Sequence, residues 1–337
     1  MEKKRVLITG ASGFIGSTTV DKSLELGYET WAGIRKSSNF NHLKDNRLNF
    51  IDLKYNNREA LKKQLTELFT LHGKFHYVIH IAGLTKARNI SDFDKVNYTY
   101  TKHLVETLIE INATPDTFVF MSSLSVMGAG DEINYTPIKS TDTPSPDTAY
   151  GISKLKTENW LKSLNNFPYL ILRPTGVYGP RDKDYFILIK AVNNGLDVGA
   201  GYKKQILTFI YSEDLANVIF KLIDGGITRK EYIVADGDSY TDSEFNKTVQ
   251  DALNRKKVIR IKIPLFIVKP AAYISEKVAA LFGKTSTFNS DKFKIMKQRN
   301  WACDVTPLKE DINFVPDYRL KKGIIKTIRW YKENGWL

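Results

Sequence analysis

Cysteine is nearly absent from this chain of 337 residues, which contains one, Cys303. A single thiol excludes an internal disulfide framework and predicts a reducing compartment. Long apolar runs are also lacking, and none reaches the length needed to span a bilayer. The apolar stretch 6–8 behind the basic start of the chain is too short for a signal peptide. We therefore expect a soluble, cytoplasmic protein.

Negative charge is in deficit, because 37 Asp and Glu face 50 Lys and Arg and leave a net charge of +13. Such an excess fits either a polyanionic partner such as nucleic acid or a lysine-rich surface with a site for an anionic cofactor. The basic residues are scattered and form only short clusters, at 3–5, 62–63 and 255–257. This pattern favours the second interpretation. We predict a small-molecule substrate, no nucleic-acid partner and no metal site.

Strand and helix patterns alternate through the first half of the chain. The predicted strands span 5–9, 29–34, 49–51, 77–81, 117–121 and 169–172, and the predicted helices span 14–26, 59–71, 94–111 and 148–164. This alternation predicts parallel βαβ units and an α/β fold with a Rossmann-type, doubly wound parallel sheet. We assign 1–173 to a dinucleotide-binding domain. The remainder, 174–337, is predicted to be mainly a smaller substrate-binding lobe, partly interleaved with the sheet.

The segment 264–282 is mostly apolar, but Lys269, Pro270, Glu276 and Lys277 interrupt it. Helical periodicity favours a helix packed inside the smaller lobe. The alternative is an amphipathic helix that lies on a membrane or lines the mouth of an apolar pocket. The sequence favours internal packing, so peripheral membrane contact is the less favoured interpretation.

A glycine-rich turn joins the first predicted strand to the first predicted helix. Gly10 permits a tight turn, Gly13 lets the backbone approach a pyrophosphate, and Gly16 lets the helix pack closely. Phe14 and Ile15 begin the helix, whose positive end would face the pyrophosphate. Glycine turns are common, but a strand before and a helix after the turn predict a dinucleotide cofactor.

The end of the second strand carries no acid. A site for NAD uses a carboxylate there to bind the ribose hydroxyls, whereas NADP needs a cation for its 2′-phosphate. This chain has Arg35 and Lys36, and a guanidinium binds phosphate in the stronger, bidentate manner. We predict NADP(H), bound through Arg35, over NAD(H). The alternative is that both cations are ordinary surface charges.

Two further strand ends complete the predicted cofactor site. Asp52 and Leu53 follow the third strand and offer the adenine a carboxylate and an apolar contact. Ala82 and Gly83 follow the fourth strand and are small enough for the cofactor to pass close to the backbone. The carboxyl ends of parallel strands meet at one edge of a sheet, where such ligands bind.

Tyr150 and Lys154 lie four residues apart and therefore share one face of a predicted helix. An unperturbed phenol, with a pKa of about 10, is too weak a base at neutral pH, and a fixed cation nearby lowers that pKa. Tyr150 could then act as the acid or base of hydride transfer. Ser122, Ser123 and Ser125 follow the preceding strand, where a hydroxyl could bind the substrate oxygen.

Several motifs together resemble one family, the extended short-chain dehydrogenase/reductases, also called the NAD-dependent epimerase/dehydratase family. They are the glycine turn 9–16, Ile-His-Ile-Ala-Gly at 79–83, Met-Ser-Ser at 121–123, the Tyr150 and Lys154 pair, and Leu-Arg-Pro-Thr-Gly-Val-Tyr-Gly-Pro at 172–180. The resemblance implies a Ser-Tyr-Lys triad in which Ser123 is the serine. It also implies that Val177 offers its backbone to the nicotinamide carboxamide, and it is consistent with a homodimer.

Differences from the family's motifs indicate which of its activities this chain is expected to have. Dehydratases of nucleotide sugars carry an Asp-Glu pair where this chain has Leu124 and Ser125. Nucleotide-sugar epimerases carry asparagine at the position of Gly176 and a diphosphate-binding arginine at the position of Leu207. By contrast, 173–180 resembles dihydroflavonol-reductase-like and 3β-hydroxysteroid-dehydrogenase-like members. We predict an NADP(H)-dependent oxidoreductase that acts reversibly on a secondary alcohol or ketone, with an NAD-dependent nucleotide-sugar epimerase as the alternative.

Overall fold

Among the described residues, seven strands form the main sheet, six from residues 5–174 and one from Lys230–Val234. The computed structural model describes residues 3–35, 37–282, 285–286 and 288–337, so Lys36 lies outside the described residues. The chain forms two compact units. The first contains Met1–Ser123, Ile152–Arg173 and Ala216–Tyr232, and the second contains Leu124–Gly151, Pro174–Leu215 and Ile233–Leu337. The assignment of substrate binding to the C-terminal part stays a prediction.

The described residues form the following strands and helices, each set numbered in chain order. The strands are β1 (Arg5–Thr9), β2 (Glu29–Ile34), β3 (Asn49–Asp52), β4 (Tyr77–His80), β5 (Thr117–Met121), β6 (Tyr169–Pro174), β7 (Gly176–Tyr178), β8 (Leu196–Ala200), β9 (Ile206–Leu207), β10 (Phe209–Tyr211), β11 (Lys230–Val234), β12 (Tyr240–Thr241) and β13 (Ile259–Ile263). The α-helices are α1 (Phe14–Glu25), α2 (Arg58–His72), α3 (Ile90–Phe93), α4 (Tyr100–Glu110), α5 (Ala149–Ser163), α6 (Asp184–Asn193), α7 (Ser212–Asp224), α8 (Asp242–Ala252), α9 (Leu265–Leu281), α10 (Ser290–Lys297), α11 (Thr306–Ile312) and α12 (Leu320–Glu333). The strands predicted for the first half are confirmed to within two residues.

The strand order of the sheet is β3-β2-β1-β4-β5-β6-β11. Pairing is parallel from β3 through β6, which confirms the predicted Rossmann-type α/β fold. The order reverses between β1 and β4, and ligands of such sheets bind outside the carboxyl ends of the strands at that point. Most residues predicted to hold the cofactor follow or end β1, β2, β3 and β4 and so lie along this edge, whereas Lys154 lies on α5 and Val177 on β7.

The first unit is held together by an apolar core between the sheet and its helices. Every residue of β4 and β5 is buried. This is expected for central strands of a parallel sheet, because helices cover both of its faces. Leu7, Val78 and Phe118 of three neighbouring strands join Leu104 and Leu108 of α4 in one cluster. This core fixes the strand ends that carry the predicted site.

A buried ion pair links α5 to the sheet. The Arg173 guanidinium donates to both carboxylate oxygens of Glu158, at 3.1 and 2.6 Å, and neither side chain is exposed to solvent. Arg173 Nη2 also donates to Glu231 Oε2 of β11 at 2.8 Å. The Ser122 hydroxyl, directly after β5, donates to Glu158 Oε1 at 2.5 Å. The pair therefore connects α5 with β6, β11 and the end of β5.

The second unit has small sheets of its own. β7 pairs in parallel with β10, β8 pairs in parallel with β13, and β9 pairs antiparallel with β12. Its apolar core is rich in aromatic residues: the Tyr178 ring meets those of Phe209 and Tyr211 edge-on, at centroid distances of 6.0 and 5.5 Å. Ile324 and Ile328 of α12 complete this core.

Two predicted helices differ from what the structure contains. The long helix predicted over 94–111 exists, but it begins earlier, at Ile90, and its residues Asp94–Thr99 form a π-helix between α3 and α4. The helix predicted over 264–282 exists as α9, but only Val268 and Ala272 are buried along it. Its expected packing therefore holds for one face alone. Among the described residues, no helix is both long and apolar enough to cross a membrane.

We expect Glu158→Gln to destabilise the protein, because it leaves the buried Arg173 guanidinium without its main counter-charge. Removing one partner of a buried pair costs about 3 kcal/mol of the free energy of unfolding, and Glu231 offsets part of this. Urea denaturation measures the change. The control is Lys247→Ala, which breaks an exposed pair with Asp251 and should cost about 0.5 kcal/mol or less. Equal small effects in both variants would contradict the role of the buried pair.

Candidate active site

In the glycine turn between β1 and α1, Gly10 and Gly16 leave no room for a side chain. Gly10 has a φ of +67°, and a Cβ there would lie 2.8 Å from the backbone nitrogen of Ala82. A Cβ on Gly16 would lie 2.1 Å from the Gly10 carbonyl oxygen, and one on Gly13 would lie 3.2 Å from the same atom. Glycine at these positions therefore brings the start of α1 against the ends of β1 and β4. The structure places Gly10 beside Ala82, as the predicted site requires.

The start of α1 fits the pyrophosphate of a dinucleotide. Gly13 is the N-cap, no side chain caps the helix, and its first turn contains no acid. The first amides of a helix lack intrahelical acceptors and carry the positive end of the helix dipole. Phe14, Ile15 and Gly16 supply these amides, so an anion here would meet donors and no repelling carboxylate.

The residues predicted to contact the adenosine half lie at the ends of β2 and β3. Ile34 pairs with Asp52 across the two strands, which puts Arg35 and Leu53 next to each other along the sheet edge. Arg35 is exposed, and its backbone is held in a tight turn by Ser38. Leu53 is buried. The Asp52 carboxylate accepts from Lys54 Nζ at 2.6 Å, so this acid has a cationic partner within the chain.

Lys154 lies at the centre of the first unit's part of the candidate site. Its ammonium donates to the Met121 carbonyl oxygen at 2.8 Å and lies 4.6 Å from the centre of the Phe120 ring. A Cβ built on Gly83 would lie 3.3 Å from Lys154 Nζ. The structure therefore brings Gly83 and Lys154 together at the carboxyl ends of β4 and β5.

The Lys154 ammonium is almost fully buried, with 3% of the residue exposed. Burial lowers its pKa to about 8, and the negative charge of Glu158 opposes that shift. The pKa of His80 falls to about 3, first because it is buried and second because the Lys154 cation repels a second positive charge. His80 is thus neutral at physiological pH, with its ring between the hydroxyls of Thr9 and Thr101, each 2.9 Å away.

Ser123 and Tyr150 are placed by the ends of β5 and α5. Ser123 is half-buried, whereas the neighbouring Ser122 is buried and donates its hydroxyl to Glu158. Because it is the less buried of the two, Ser123 is the better candidate to meet a substrate. Tyr150 is half-buried in the first turn of α5, one turn before Lys154 on the same helix.

Val177 lies in the middle of β7, in the second unit. It is half-buried and pairs with Ile210 of β10. Its backbone is therefore partly engaged in a ladder with a neighbouring strand. The role that the family resemblance implies for it, binding of the nicotinamide carboxamide, stays a prediction.

Asn97 belongs to the site although the sequence reasoning missed it. It is fully buried, accepts from the Leu84 amide at 2.7 Å and donates to the Leu84 carbonyl oxygen at 3.0 Å and Ser153 Oγ at 2.9 Å. A Cβ on Gly83 would lie 2.9 Å from its Oδ1. Asn97 thus ties the loop after β4 to α5 next to Lys154. A polar residue on the buried side of the long predicted helix was the signal that could have identified it.

Asn97 sits inside the π-helix Asp94–Thr99. Such segments are rare in proteins, and those that occur are frequently found at functional sites. Here the Asn97 carbonyl oxygen accepts from the hydroxyls of Thr101 and Thr157, at 2.8 and 3.0 Å. The irregular turn is therefore stabilised from both α4 and α5.

Comparisons with known proteins agree with this architecture. Residues 6–235 match the family described as NAD dependent epimerase/dehydratase. The chain is 27% identical to the UDP-glucose 4-epimerase of Vibrio cholerae, over 96% of this chain and 94% of that protein. It is 22% identical to the decarboxylating sterol-4-alpha-carboxylate 3-dehydrogenase of Saccharomyces cerevisiae, over 98% of each. The resemblance seen in the sequence motifs is confirmed at the level of the family.

Solved structures share the fold. The crystal structure of UDP-glucose 4-epimerase from Thermotoga maritima, with UDP-glucose, superimposes with a TM-score of 0.76 at 21% identity and covers 98% of this chain and 99% of that one. At this identity the likeness establishes the fold and leaves the substrate open.

The lowered pKa of Lys154 makes the stability of the protein depend on pH in a defined direction. Between the folded pKa, about 8, and the unfolded pKa, about 10.4, the unfolded chain binds more protons, so stability rises with pH. Compared with Lys154→Met, we expect the wild type to gain about 2–3 kcal/mol of unfolding free energy from about pH 7 to about pH 10.

Urea denaturation across this pH range measures the difference between the two proteins. The control is Lys156→Met, which removes an exposed lysine of the same helix and should follow the wild-type profile. Parallel profiles for the wild type and Lys154→Met would contradict a desolvated Lys154 cation.

Proposed function

Because the chain belongs to the NAD dependent epimerase/dehydratase family, and is therefore an enzyme of the oxidoreductase type, we propose that it is an NADP(H)-dependent dehydrogenase or reductase. Its reaction is hydride transfer between the nicotinamide and a secondary alcohol or ketone. The observation that carries this proposal is the buried Lys154 ammonium, fixed beside Gly83 at the carboxyl edge of the sheet and one turn after Tyr150.

Tyr150 is the proposed proton donor and acceptor. The cofactor, when bound, supplies or accepts the hydride. As the substrate carbonyl is reduced, the Tyr150 hydroxyl donates a proton to the oxygen, and in the oxidative direction the phenolate accepts it. Lys154 favours the phenolate by its positive charge and holds its position through the Met121 carbonyl. Ser123 orients the substrate oxygen by a hydrogen bond.

Two observations support the preference for NADP(H). Arg35 is exposed directly after β2, where a cation can reach a 2′-phosphate, and no carboxylate stands at the end of that strand. The acid of the neighbouring strand, Asp52, is paired with Lys54, so Arg35 is not neutralised by it. The family as a whole is described by NAD dependence, so the preference of this member rests on Arg35.

The surroundings of Gly176 support a substrate other than a nucleotide sugar. A Cβ at this position would lie 2.2 Å from the Tyr185 hydroxyl oxygen and 3.1 Å from Phe209 Cδ1. The Tyr185 ring packs against Tyr178, Phe209 and Phe245, with centroids 5.7 to 6.4 Å apart. The asparagine that nucleotide-sugar epimerases carry here would have to displace the packed Tyr185 ring. Leu207, in the place of their arginine, offers no charge to a diphosphate.

An NAD-dependent nucleotide-sugar epimerase remains the second candidate, favoured by the 27% identity to the UDP-glucose 4-epimerase of Vibrio cholerae. An epimerase returns its hydride to the substrate and keeps its cofactor bound. Purified protein that releases stoichiometric NAD(H) on denaturation, and interconverts UDP-hexoses without added cofactor, would favour the epimerase. Protein that needs added cofactor and oxidises or reduces a panel of alcohols and ketones would favour the dehydrogenase.

We expect Tyr150→Phe to lower kcat at least about a hundredfold, because general acid–base catalysis contributes that much or more. The cofactor dissociation constant should stay within about twofold, since the substitution removes only the phenolic hydroxyl. Turnover is followed at the nicotinamide absorbance with the best substrate of the panel, and binding is followed by titration. Tyr202→Phe, at an exposed position, is the matched control. Turnover at the wild-type rate in Tyr150→Phe would contradict the mechanism.

Cofactor choice is tested by Arg35→Ala and Arg35→Asp. The wild type should bind NADPH at least about tenfold more tightly than NADH, because a hydrogen bond between charged groups contributes about 1.5–3 kcal/mol. Arg35→Ala should abolish the preference, and Arg35→Asp should reverse it by repelling the 2′-phosphate and binding the ribose hydroxyls. Lys44→Ala, an exposed cation between the same two strands, is the control. Equal affinities of the wild type for both cofactors would contradict our interpretation of Arg35.

A further inference from the structure

The outer side of α9 is apolar although solvent covers it. Phe266, Ile274 and Leu281 are 77%, 60% and 85% exposed, and they recur on one side of the helix. Val268 and Ala272, on the opposite side, are buried. A surface helix of a globular protein normally has polar residues on its outward side. The outer face of α9 is therefore built to contact something apolar.

The strands before α9 extend the same character. Ile259 and Ile261 of β13 pair with Leu196 and Val198 of β8, and all four side chains are exposed. The alternating residues of these strands are polar and engaged with α8: Arg260, for example, donates to Asp242 at 2.8 Å. One face of this small sheet thus meets α8 through polar contacts, while its other face is apolar and exposed. We call the exposed apolar residues of β8, β13 and α9 the apolar face.

The charge around the apolar face is strongly positive. The segment 255–277 contains seven Lys and Arg and one acid, a net charge of +6 out of +13 for the whole chain. Lys256, Lys257 and Lys269 are exposed. The one acid, Glu276, accepts from the amide and hydroxyl of Ser290 at the start of α10, at 3.2 and 2.6 Å. Arg260 and Lys262 pair with Asp242 of α8, and the other five cations of the segment still outnumber its one acid.

Exposed apolar side chains together with an excess of cations favour one kind of partner for the apolar face over others. A second copy of the chain, docked by a two-fold axis, would bring the same basic segment against itself, and like charges repel. A layer of anionic phospholipid headgroups complements both properties, because it attracts the cations and offers acyl chains to the apolar side chains. No helix among the described residues can cross the bilayer, so a helix of this kind would lie in the interface.

We propose that the apolar face is a membrane-docking surface, which binds anionic phospholipid bilayers with α9 lying in the plane of the interface. Phe266, Ile274 and Leu281 enter the boundary between headgroups and acyl chains. Lys256, Lys257 and Lys269 meet the phosphate groups. This binding site is independent of the proposed function, and its test needs no catalytic readout.

The test is co-sedimentation of the purified full-length protein with vesicles of phosphatidylcholine alone and of phosphatidylcholine mixed with phosphatidylglycerol. We expect binding to the mixed vesicles that weakens as salt is added, and little binding to phosphatidylcholine alone. Ile274→Glu combined with Leu281→Glu should weaken binding at least about tenfold, since two apolar side chains that would enter the bilayer are lost. Lys256→Glu combined with Lys257→Glu should weaken it about tenfold or more.

Matched controls separate this surface from general stickiness. Leu71→Glu changes an equally exposed leucine of the first unit, and Lys321→Glu with Lys322→Glu reverses two adjacent exposed lysines of α12. Both should bind the mixed vesicles like the wild type, and circular dichroism checks that every variant is folded. Absence of binding by the wild type, or undiminished binding by the α9 double variant, would overturn the proposal. A wild-type dimer in light scattering that Ile274→Glu with Leu281→Glu dissociates, without vesicle binding, would assign the face to a second copy and also overturn it.

Discussion

The buried pair of Glu158 and Arg173 is the constraint on which the first unit's part of the site depends. Two opposite charges without solvent are costly unless their hydrogen bonds are satisfied, and here Ser122 and Glu231 complete the set. The geometry that satisfies the pair also fixes α5 along the ends of β5 and β6. Lys154, one turn before Glu158 on α5, is thereby held against the Met121 carbonyl. The ion pair thus positions Lys154, the cation of the proposed mechanism, by fixing the helix that carries it.

Burial of Lys154 has a cost that the fold offsets only in part. Desolvation lowers its pKa, while the Glu158 carboxylate and the Met121 carbonyl favour the charged form. The result is a cation whose pKa lies near the working range of an enzyme and far from that of a surface lysine. His80 shows the complementary effect: it lies near the same charge, stays neutral and contributes hydrogen bonds to Thr9 and Thr101. Burial is the larger cause of the neutral His80, and the Lys154 cation adds to it.

Local sequence patterns predicted the sheet and much of the site, because both depend on short-range periodicity. Each of these motifs spans only a few consecutive residues: the glycine turn, each strand end, and the pair of Tyr150 and Lys154. Asn97 escaped because periodicity of 3.6 residues does not distinguish a π-helix from an α-helix. The partners Glu158 and Arg173 are separated by a turn and lie on different elements, so only the folded chain shows that they meet. Likewise, the Tyr185 hydroxyl that fills the space beside Gly176 follows from packing in the second unit.

Composition gives the amount of positive charge on the chain, and the structure shows what surrounds it. Composition alone allowed either a polyanionic partner or a dispersed basic surface, and the scattered lysines favoured the latter. The folded chain shows that nearly half of the excess lies in one segment, 255–277, which also carries exposed apolar side chains. Binding to the phosphate backbone of a nucleic acid depends on positive charge and does not require apolar surface. Exposed apolar side chains among the lysines would contribute nothing to such binding. Because both features occur in the same 23 residues, they are best explained by one partner that is anionic at its surface and apolar beneath it.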